Sequence, residues 1–192
     1  MVDVDELATN HSKNARVATR RQQERQKNCF GETQPRVGRV EADHMKHPNQ
    51  GDLIEPPRHL DEYARKVIEA ALTVHRHLGP GFPEGVYEEA LVIELAVRGI
   101  SFQRQLEIPI TYNGHAIARF QLDLLVEDEL VVELKAVESL HPLHRAQVIS
   151  YLRAGRFQLG LLINFNVFAL LQGVRRVIWN NSLLDGYLEQ LS

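Results

Sequence analysis

The chain of 192 residues has only one cysteine, Cys29. A single thiol excludes an internal disulfide framework and a cysteine-based zinc cluster. The sequence also lacks an apolar run long enough to span a membrane and lacks a signal-peptide pattern, so we expect a cytoplasmic protein. Neither sign of charge is in large excess, since 22 Lys and Arg stand against 25 Asp and Glu. Any surface that binds nucleic acid must therefore be local.

The amino-terminal part of the chain has little hydrophobic periodicity. Residues 1–57 are polar and charged and are interrupted by four prolines, which predicts a disordered or poorly ordered tail. Met45 is an alternative start within this tail. We expect one folded domain over residues 58–192, because the remaining chain is long enough for a proper hydrophobic core.

Regular patterns begin at Leu60. Apolar residues at helical spacing predict one helix that ends at Gly79-Pro80-Gly81 and a second helix that runs from Pro83 to about Arg98. A third helix is predicted to begin at Pro142. Strands are predicted at about residues 102–108, 110–112, 116–126, 130–136, 159–163 and 176–179, and a short last helix at residues 183–191. The predicted order is α-α-β-β-β-α-β-β, an α/β (α+β) fold in which helices flank a mixed sheet.

Two apolar strands joined by an acidic turn are predicted in the sequence DLLVEDELVVELK. Period-2 alternation indicates that each strand has one buried face. The register that keeps both apolar sets on this face pairs Val126 with Leu130 around a three-residue loop. It places Asp123 directly opposite Glu133, with Lys135 on the same face. The loop lacks the Gly or Asn that such hairpins favour.

Opposed carboxylates repel each other, by roughly 3 kcal/mol at about 5 Å and an effective dielectric constant of about 20. Mg²⁺ or Mn²⁺ between Asp123 and Glu133 would remove this repulsion, because both ions prefer hard oxygen ligands. Lys135 would then assist a metal-bound water or stabilise charge at phosphorus. The alternative interpretation is a solvated sheet face that carries an ordinary Lys–Glu pair.

The second helix is apolar on two sides, which predicts that it is largely buried. Glu84 and Glu88 share one column of this helix, so we expect them to face the sheet or a cleft, where they need a metal or a cation. The alternative is an amphipathic border position favoured by the helix dipole. On the third helix, Gln147 and Tyr151 share a face and are candidates for positioning a phosphate or the attacking water, or are ordinary border residues.

The sequence GFPEGVY at Gly81–Tyr87 resembles the signature of the GxxExxY proteins, a group within the PD-(D/E)XK nuclease-like superfamily. The resemblance continues through DLLVEDELVVELKAVESL, HRAQVISYL and LGLLINFN, over residues 60–180. It implies a restriction-endonuclease-like fold and a metal-dependent phosphodiesterase site. The resemblance implies three metal ligands: Asp123, Glu133 and Glu84, with Glu88 as the rival of Glu84. It implies as catalytic residues Lys135, Gln147 and Tyr151.

We therefore expect a Mg²⁺- or Mn²⁺-dependent nuclease that hydrolyses phosphodiester bonds in DNA or RNA and has no membrane partner. A homodimer is one expected assembly, since many nucleases of this class cut two strands as dimers. One alternative is a catalytically silent nuclease-fold module that binds nucleic acid or a protein partner. Another is a small-molecule phosphodiesterase.

Overall fold

The computed structural model of the chain describes residues 55–179. The predicted tail over residues 1–57 lies almost wholly outside the described residues, as do Met45 and the predicted helix at residues 183–191. The two domain boundaries proposed from the sequence therefore stay predictions.

The described residues form nine elements around one sheet. In chain order they are α1 (Arg58–Leu78), α2 (Glu84–Val97), β1 (Phe102–Tyr112), β2 (His115–Val126), β3 (Leu130–Lys135), α3 (Pro142–Gly155), β4 (Leu159–Asn164), α4 (Leu170–Gly173) and β5 (Val174–Ile178). The predicted α/β (α+β) order α-α-β-β-β-α-β-β is confirmed, and the four-residue α4 is an addition to it.

The five strands lie side by side in chain order, β1-β2-β3-β4-β5. Strands β3 and β4 are parallel, because α3 returns the chain between them, and the other neighbours are antiparallel. The predicted mixed sheet is therefore confirmed. Strand β1 runs without interruption through Pro109, where the sequence predicted two separate strands. An edge strand tolerates proline because one side of its backbone has no strand to bond.

Apolar side chains are buried on both faces of the sheet. Helices α1 and α2 cover one face, and α3 covers the other. Along β3, Val132 belongs to the first cluster and Val131 to the second, so the expectation of a single buried face was wrong. A strand next to a parallel neighbour is covered by helices on both sides and reads as a nearly continuous apolar run.

Helix α2 is less buried than its composition predicted. Tyr87, Leu91 and Leu95 are buried in the core, whereas the second apolar side, with Ile93 and Val97, faces outward. One face of α2 is sufficient to pack against α1 and the sheet, which leaves the other face uncovered by the described residues. No helix within residues 55–179 has the length and apolar character that a bilayer crossing requires.

Candidate functional site

The hairpin between β2 and β3 has the predicted register. Val126 pairs with Leu130, and Leu124 pairs with Val132. The loop lacks glycine, yet Glu127 and Asp128 adopt left-handed φ angles of 51° and 59°. Contacts with Ser101, just before β1, and with Gln103, at the start of β1, offset that strain. The Glu127 amide N–H donates to a backbone carbonyl at 2.9 Å, and Asp128 Oδ1 accepts from the amide of Gln103 at 2.7 Å.

Backbone pairing between β2 and β3 does not continue to Asp123. Instead, Asp123 Oδ2 accepts a hydrogen bond from the backbone N–H of Leu134 at 2.7 Å. The carboxylate therefore takes the position of a strand carbonyl and bridges the two strands where they separate. Its position follows from the predicted register, whereas the separation of the strands was not predicted.

Glu133 is almost completely buried, at 1% exposure. Its Oε1 accepts from Lys135 Nζ at 2.6 Å. Its Oε2 is buried and has no hydrogen-bond partner among the described residues. A buried carboxylate oxygen without a partner costs free energy. A positively charged or hydrogen-donating ligand at Glu133 would remove this cost.

Burial and mutual repulsion disfavour the ionised forms of the two central acids. Burial, followed by the negative charge of Asp123, raises the pKa of Glu133 to about 7, although Lys135 opposes this effect. Burial also raises the pKa of Asp123, against the hydrogen bond from Leu134 and the charge of Lys135. The two carboxylates therefore gain most from a nearby cation at neutral pH and above.

Lys135 lies at the end of β3, opposite Asn164 at the end of β4. We call this end of the sheet the site edge. Burial alone would lower the pKa of Lys135, but the hydrogen bond from its ammonium group to Glu133, together with the charges of Glu84 and Asp123, outweighs burial and raises it. Lys135 is therefore a charged ammonium group over the whole neutral range.

Helix α2 carries two acids near the site, and they differ in exposure and in hydrogen-bond partners. Glu84 Oε1 is 3.8 Å from Lys135 Nζ, and its side chain is 43% exposed. Glu88 is 13% exposed and accepts from the guanidinium of Arg104 at 3.1–3.2 Å and from the amide of Gln105 at 3.0 Å. Because Arg104 already neutralises Glu88, the geometry favours Glu84 over Glu88 as the acid that is available to a ligand.

The two predicted polar residues of α3 do share a face. Gln147 Nε2 donates to the hydroxyl oxygen of Tyr151 at 2.6 Å. Burial, and then the charge of Glu133, raises the pKa of Tyr151, so its hydroxyl stays protonated near the carboxylates. The pair lies beside the acids as predicted, and its assignment to phosphate or water stays a prediction.

Tyr87 has a structural role that the sequence reasoning did not assign. Its hydroxyl donates to the Gly79 carbonyl at 2.7 Å and accepts from the Phe82 N–H at 3.1 Å, and its ring stacks on Phe165 with centroids 4.6 Å apart. These contacts fix the loop between α1 and α2 against the end of β4. They thereby set the position of Glu84 at the start of α2. The only signal in the sequence was the GxxExxY pattern itself.

Asn164 was also missed. It is buried, accepts from the N–H of Val137 at 3.0 Å and donates to the carbonyl of Val137 at 2.8 Å. The segment that follows Lys135 is thereby attached to β4. A polar residue at the end of an otherwise apolar strand was the available signal.

Gln105 is the third residue that the sequence reasoning missed, and it has no signal in the sequence. It adopts a φ of 48° inside β1, and the β1–β2 pairing passes over it between Arg104 and Leu106. The skipped position is the one that would face Asp123. A left-handed non-glycine residue in a strand stores strain, and such strain concentrates at functional sites.

The described residues offer only part of a metal site. Within residues 55–179, no group of three or more His, Cys, Asp or Glu side chains is close enough to hold a metal ion. Asp123 and Glu133 nevertheless fit a hard divalent cation, because they present carboxylate oxygens and one of these is buried without a partner. Glu84 is not grouped with them in this arrangement, and its Oε1 lies 3.8 Å from Lys135 Nζ, which is bonded to Glu133.

A family model for the PD-(D/E)XK nuclease superfamily matches residues 61–177 of this chain. The chain belongs to this superfamily. The match includes Glu84 and the whole hairpin from Asp123 to Lys135, and the mixed sheet flanked by helices is consistent with the superfamily's restriction-endonuclease-like fold. No curated protein and no solved structure gives a significant match. The narrower assignment to the GxxExxY group stays a prediction.

Membership suggests a nuclease-like function and a nucleic-acid substrate, and nucleases of this superfamily generally use divalent metal ions.

Proposed function

We propose that the protein is a nuclease that hydrolyses phosphodiester bonds in DNA or RNA with Mg²⁺ or Mn²⁺. The observation that carries this proposal is the unpartnered, buried Oε2 of Glu133, beside Asp123 and within the superfamily's Glu-x-Lys motif. A strand with no ligand to bind has no reason to bury this oxygen, because each unsatisfied buried polar group costs about 1–3 kcal/mol, and charged groups cost more.

Asp123 and Glu133 would hold the ion, with Glu84 as the third ligand once Lys135 releases it. The side chain of Glu84 is partly exposed, and its Oε1 lies 3.8 Å from the ammonium group of Lys135, so it is the acid of α2 that is free to approach a bound ion. A bound divalent ion would supply Lewis-acid chemistry at the phosphodiester.

Lys135 supplies the positive charge that stabilises the transition state. Its ammonium group stays protonated and lies within 2.6 Å of Glu133, close to where the scissile phosphate would bind. It would donate hydrogen bonds to the phosphate oxygens as negative charge develops on them. Gln147 and Tyr151 would orient the phosphate or the attacking water through the amide and the hydroxyl that now bond each other.

Cleavage of labelled DNA and RNA, each single- and double-stranded, tests the proposal in Mn²⁺, in Mg²⁺ and in a chelator. We expect metal-dependent cleavage that falls about 10²- to 10³-fold in Lys135→Ala, the range for removal of one transition-state donor. Lys66→Ala is the matched control, because Lys66 is exposed on α1 and should leave the rate unchanged. Equal cleavage by Lys135→Ala and by the wild type would show that Lys135 has no catalytic role.

A catalytically silent module that binds nucleic acid or a protein partner is the second candidate. The observation in its favour is that Lys135 already neutralises Glu133 and that no three-acid group is assembled in residues 55–179. This alternative predicts no cleavage with any metal, and no difference in Mn²⁺ calorimetry between Asp123→Ala and the wild type. A small-molecule phosphodiesterase would instead cleave a chromogenic phosphodiester and leave oligonucleotides intact.

A further inference from the structure

The phenylalanines of the described residues fall into two groups. Phe102, Phe157 and Phe165 are buried in the core. Phe82, Phe120 and Phe168 are exposed, at 45%, 37% and 98% of their surface. Single exposed apolar residues are common, but a ring that is almost fully in water contributes nothing to the core.

Phe82 lies at the site edge. It precedes Glu84 by two residues, and its ring centroid is 6.3 Å from that of Tyr87. Tyr87 in turn stacks on Phe165, whose backbone N–H donates to the carbonyl of Lys135 at 2.8 Å. A short chain of contacts thus connects the exposed ring of Phe82 to the catalytic lysine.

The other two rings lie around the same edge. Phe120 packs edge-on against Tyr151, with ring centroids 5.3 Å apart, and Tyr151 is close enough to Glu133 for that charge to affect its hydroxyl. Phe168 lies in the loop that leaves β4 at the site edge. His75 fixes this loop by donating from its ring to the carbonyl of Val167 at 2.7 Å. Phe168 is thus presented to solvent from a loop that is attached to the core.

The cations beside the acids are already paired. Lys135 bonds Glu133, and Arg104 bonds Glu88 and Glu89. The whole chain has a formal net charge of −3. Attraction to phosphates alone is therefore a weak source of affinity at this edge, in contrast to proteins with strongly basic nucleic-acid surfaces. The exposed aromatic rings offer a second source, because every nucleobase has a face that stacks on them.

We infer that the substrate of this site is single-stranded or unpaired nucleic acid, whose bases stack on Phe168, Phe82 and Phe120. This inference rests on the proposed nuclease function and specifies its substrate class. In a duplex the base faces are covered by their neighbours in the stack, so the rings at the site edge would gain nothing from it. In a single strand the faces are accessible, and stacking positions the backbone between them over the acids.

Fluorescence anisotropy in chelator tests this inference without cleavage. The probes are labelled oligothymidine DNA, oligouridine RNA and a DNA duplex of equal length. We expect wild-type protein to bind a single strand more tightly than the duplex. Phe168→Ala should weaken single-strand binding about 5- to 150-fold, the range that corresponds to loss of one stacked base. Phe168→Trp should retain the affinity, and Phe168→Leu, which is apolar but has no ring, should lose it.

Tyr112→Ala is the control, because Tyr112 is an exposed aromatic residue at the turn between β1 and β2 and should not change binding. Tighter duplex binding, unchanged single-strand binding in Phe168→Ala, or full affinity in Phe168→Leu would each overturn the inference. So would a change of oligomeric state in Phe168→Ala with no change in nucleic-acid affinity, which would indicate a protein interface. Metal-dependent cleavage restricted to duplex DNA would overturn it while leaving the proposed function intact. Conversely, Phe168-dependent single-strand binding without cleavage would overturn the proposed function alone.

Discussion

Replacing Glu133 with Gln should stabilise the metal-free protein at neutral pH and above. Glutamine has nearly the same shape and still accepts the hydrogen bond from Lys135, but it carries no charge. Its carbonyl and amide can be buried at lower cost than an ionised carboxylate. The substitution therefore isolates the cost of the negative charge at this position, which the fold tolerates because of the function we propose for it.

The size of the effect follows from the pKa of Glu133, which is raised from its ordinary value of 4.5 to about 7. One pKa step is worth about 1.4 kcal/mol, so the full cost is at most about 3 kcal/mol. Below pH 4.5 the group is protonated in the folded and the unfolded chain and has no effect. Between these two values the folded state binds more protons, so its free energy of unfolding falls as the pH rises. Above pH 7 the full cost applies.

Urea unfolding of the wild type and of Glu133→Gln, in chelator and between pH 4.5 and pH 8, measures this cost. We expect equal stability at the acidic end and a gap that grows to about 3 kcal/mol in favour of the variant, or roughly 9 °C in melting temperature. Glu107→Gln is the control, because Glu107 is exposed on β1 and pairs with the exposed Arg119. Adding Mn²⁺ at pH 8 should stabilise the wild type and leave Glu133→Gln unchanged. A gap that is the same at every pH would refute the reasoning.

Three further substitutions test how the site is positioned. Gln105→Glu should lower the free energy of unfolding by about 1–3 kcal/mol, because it replaces the amide that donates to Glu88 with a second carboxylate. The double swap of Glu88→Gln with Gln105→Glu should recover about 1 kcal/mol or more in a double-mutant cycle. Tyr87→Phe should cost about 1–2 kcal/mol in urea unfolding, because two backbone groups lose their hydroxyl partner, while Tyr112→Phe at an exposed position should cost nothing. Asn164→Ala should cost about 2–3 kcal/mol by the same measurement, and its cleavage rate should fall as the segment after Lys135 loosens.

Each of these results has a contrary outcome. Additive effects in the Glu88 and Gln105 cycle would mean that the two side chains do not interact. Equal stabilities of Tyr87→Phe and Tyr112→Phe would show that the Tyr87 hydroxyl does not hold the loop before α2 in place. An Asn164→Ala variant with wild-type cleavage would show that the segment after Lys135 has no part in positioning the site.

The fold and the hairpin were predictable from local sequence rules. Apolar periodicity with Gly and Pro boundaries predicts the helices and strands, since each element depends on neighbours within a few residues. The register of β2 against β3 follows from alternation, because a shift by one residue would turn every apolar side chain to the wrong face. For the same reason Asp123, Glu133 and Lys135 were expected together, and the structure places them together.

Burial and long-range contacts were less predictable. The exposed side of α2 with Ile93 and Val97 looks the same in sequence as its buried side, because composition does not show which face a neighbour covers. The hydrogen bond from Gln105 to Glu88 joins residues that are 17 positions apart in the sequence. The hydrogen bond between Asn164 and Val137 joins residues that are 27 positions apart. No local pattern predicts such pairs.

The sequence by itself thus determined which acids and which lysine face the same side of one hairpin, because alternation along a strand is a local property. Only the tertiary structure decided what those groups experience. It separates β2 from β3 at Asp123, buries Glu133, and commits Glu88 to Arg104 while leaving Glu84 available. It also leaves Phe82, Phe120 and Phe168 exposed. Burial and charge pairing depend on what the rest of the chain brings near, and it is the packing of helices against both faces of the sheet that sets them here.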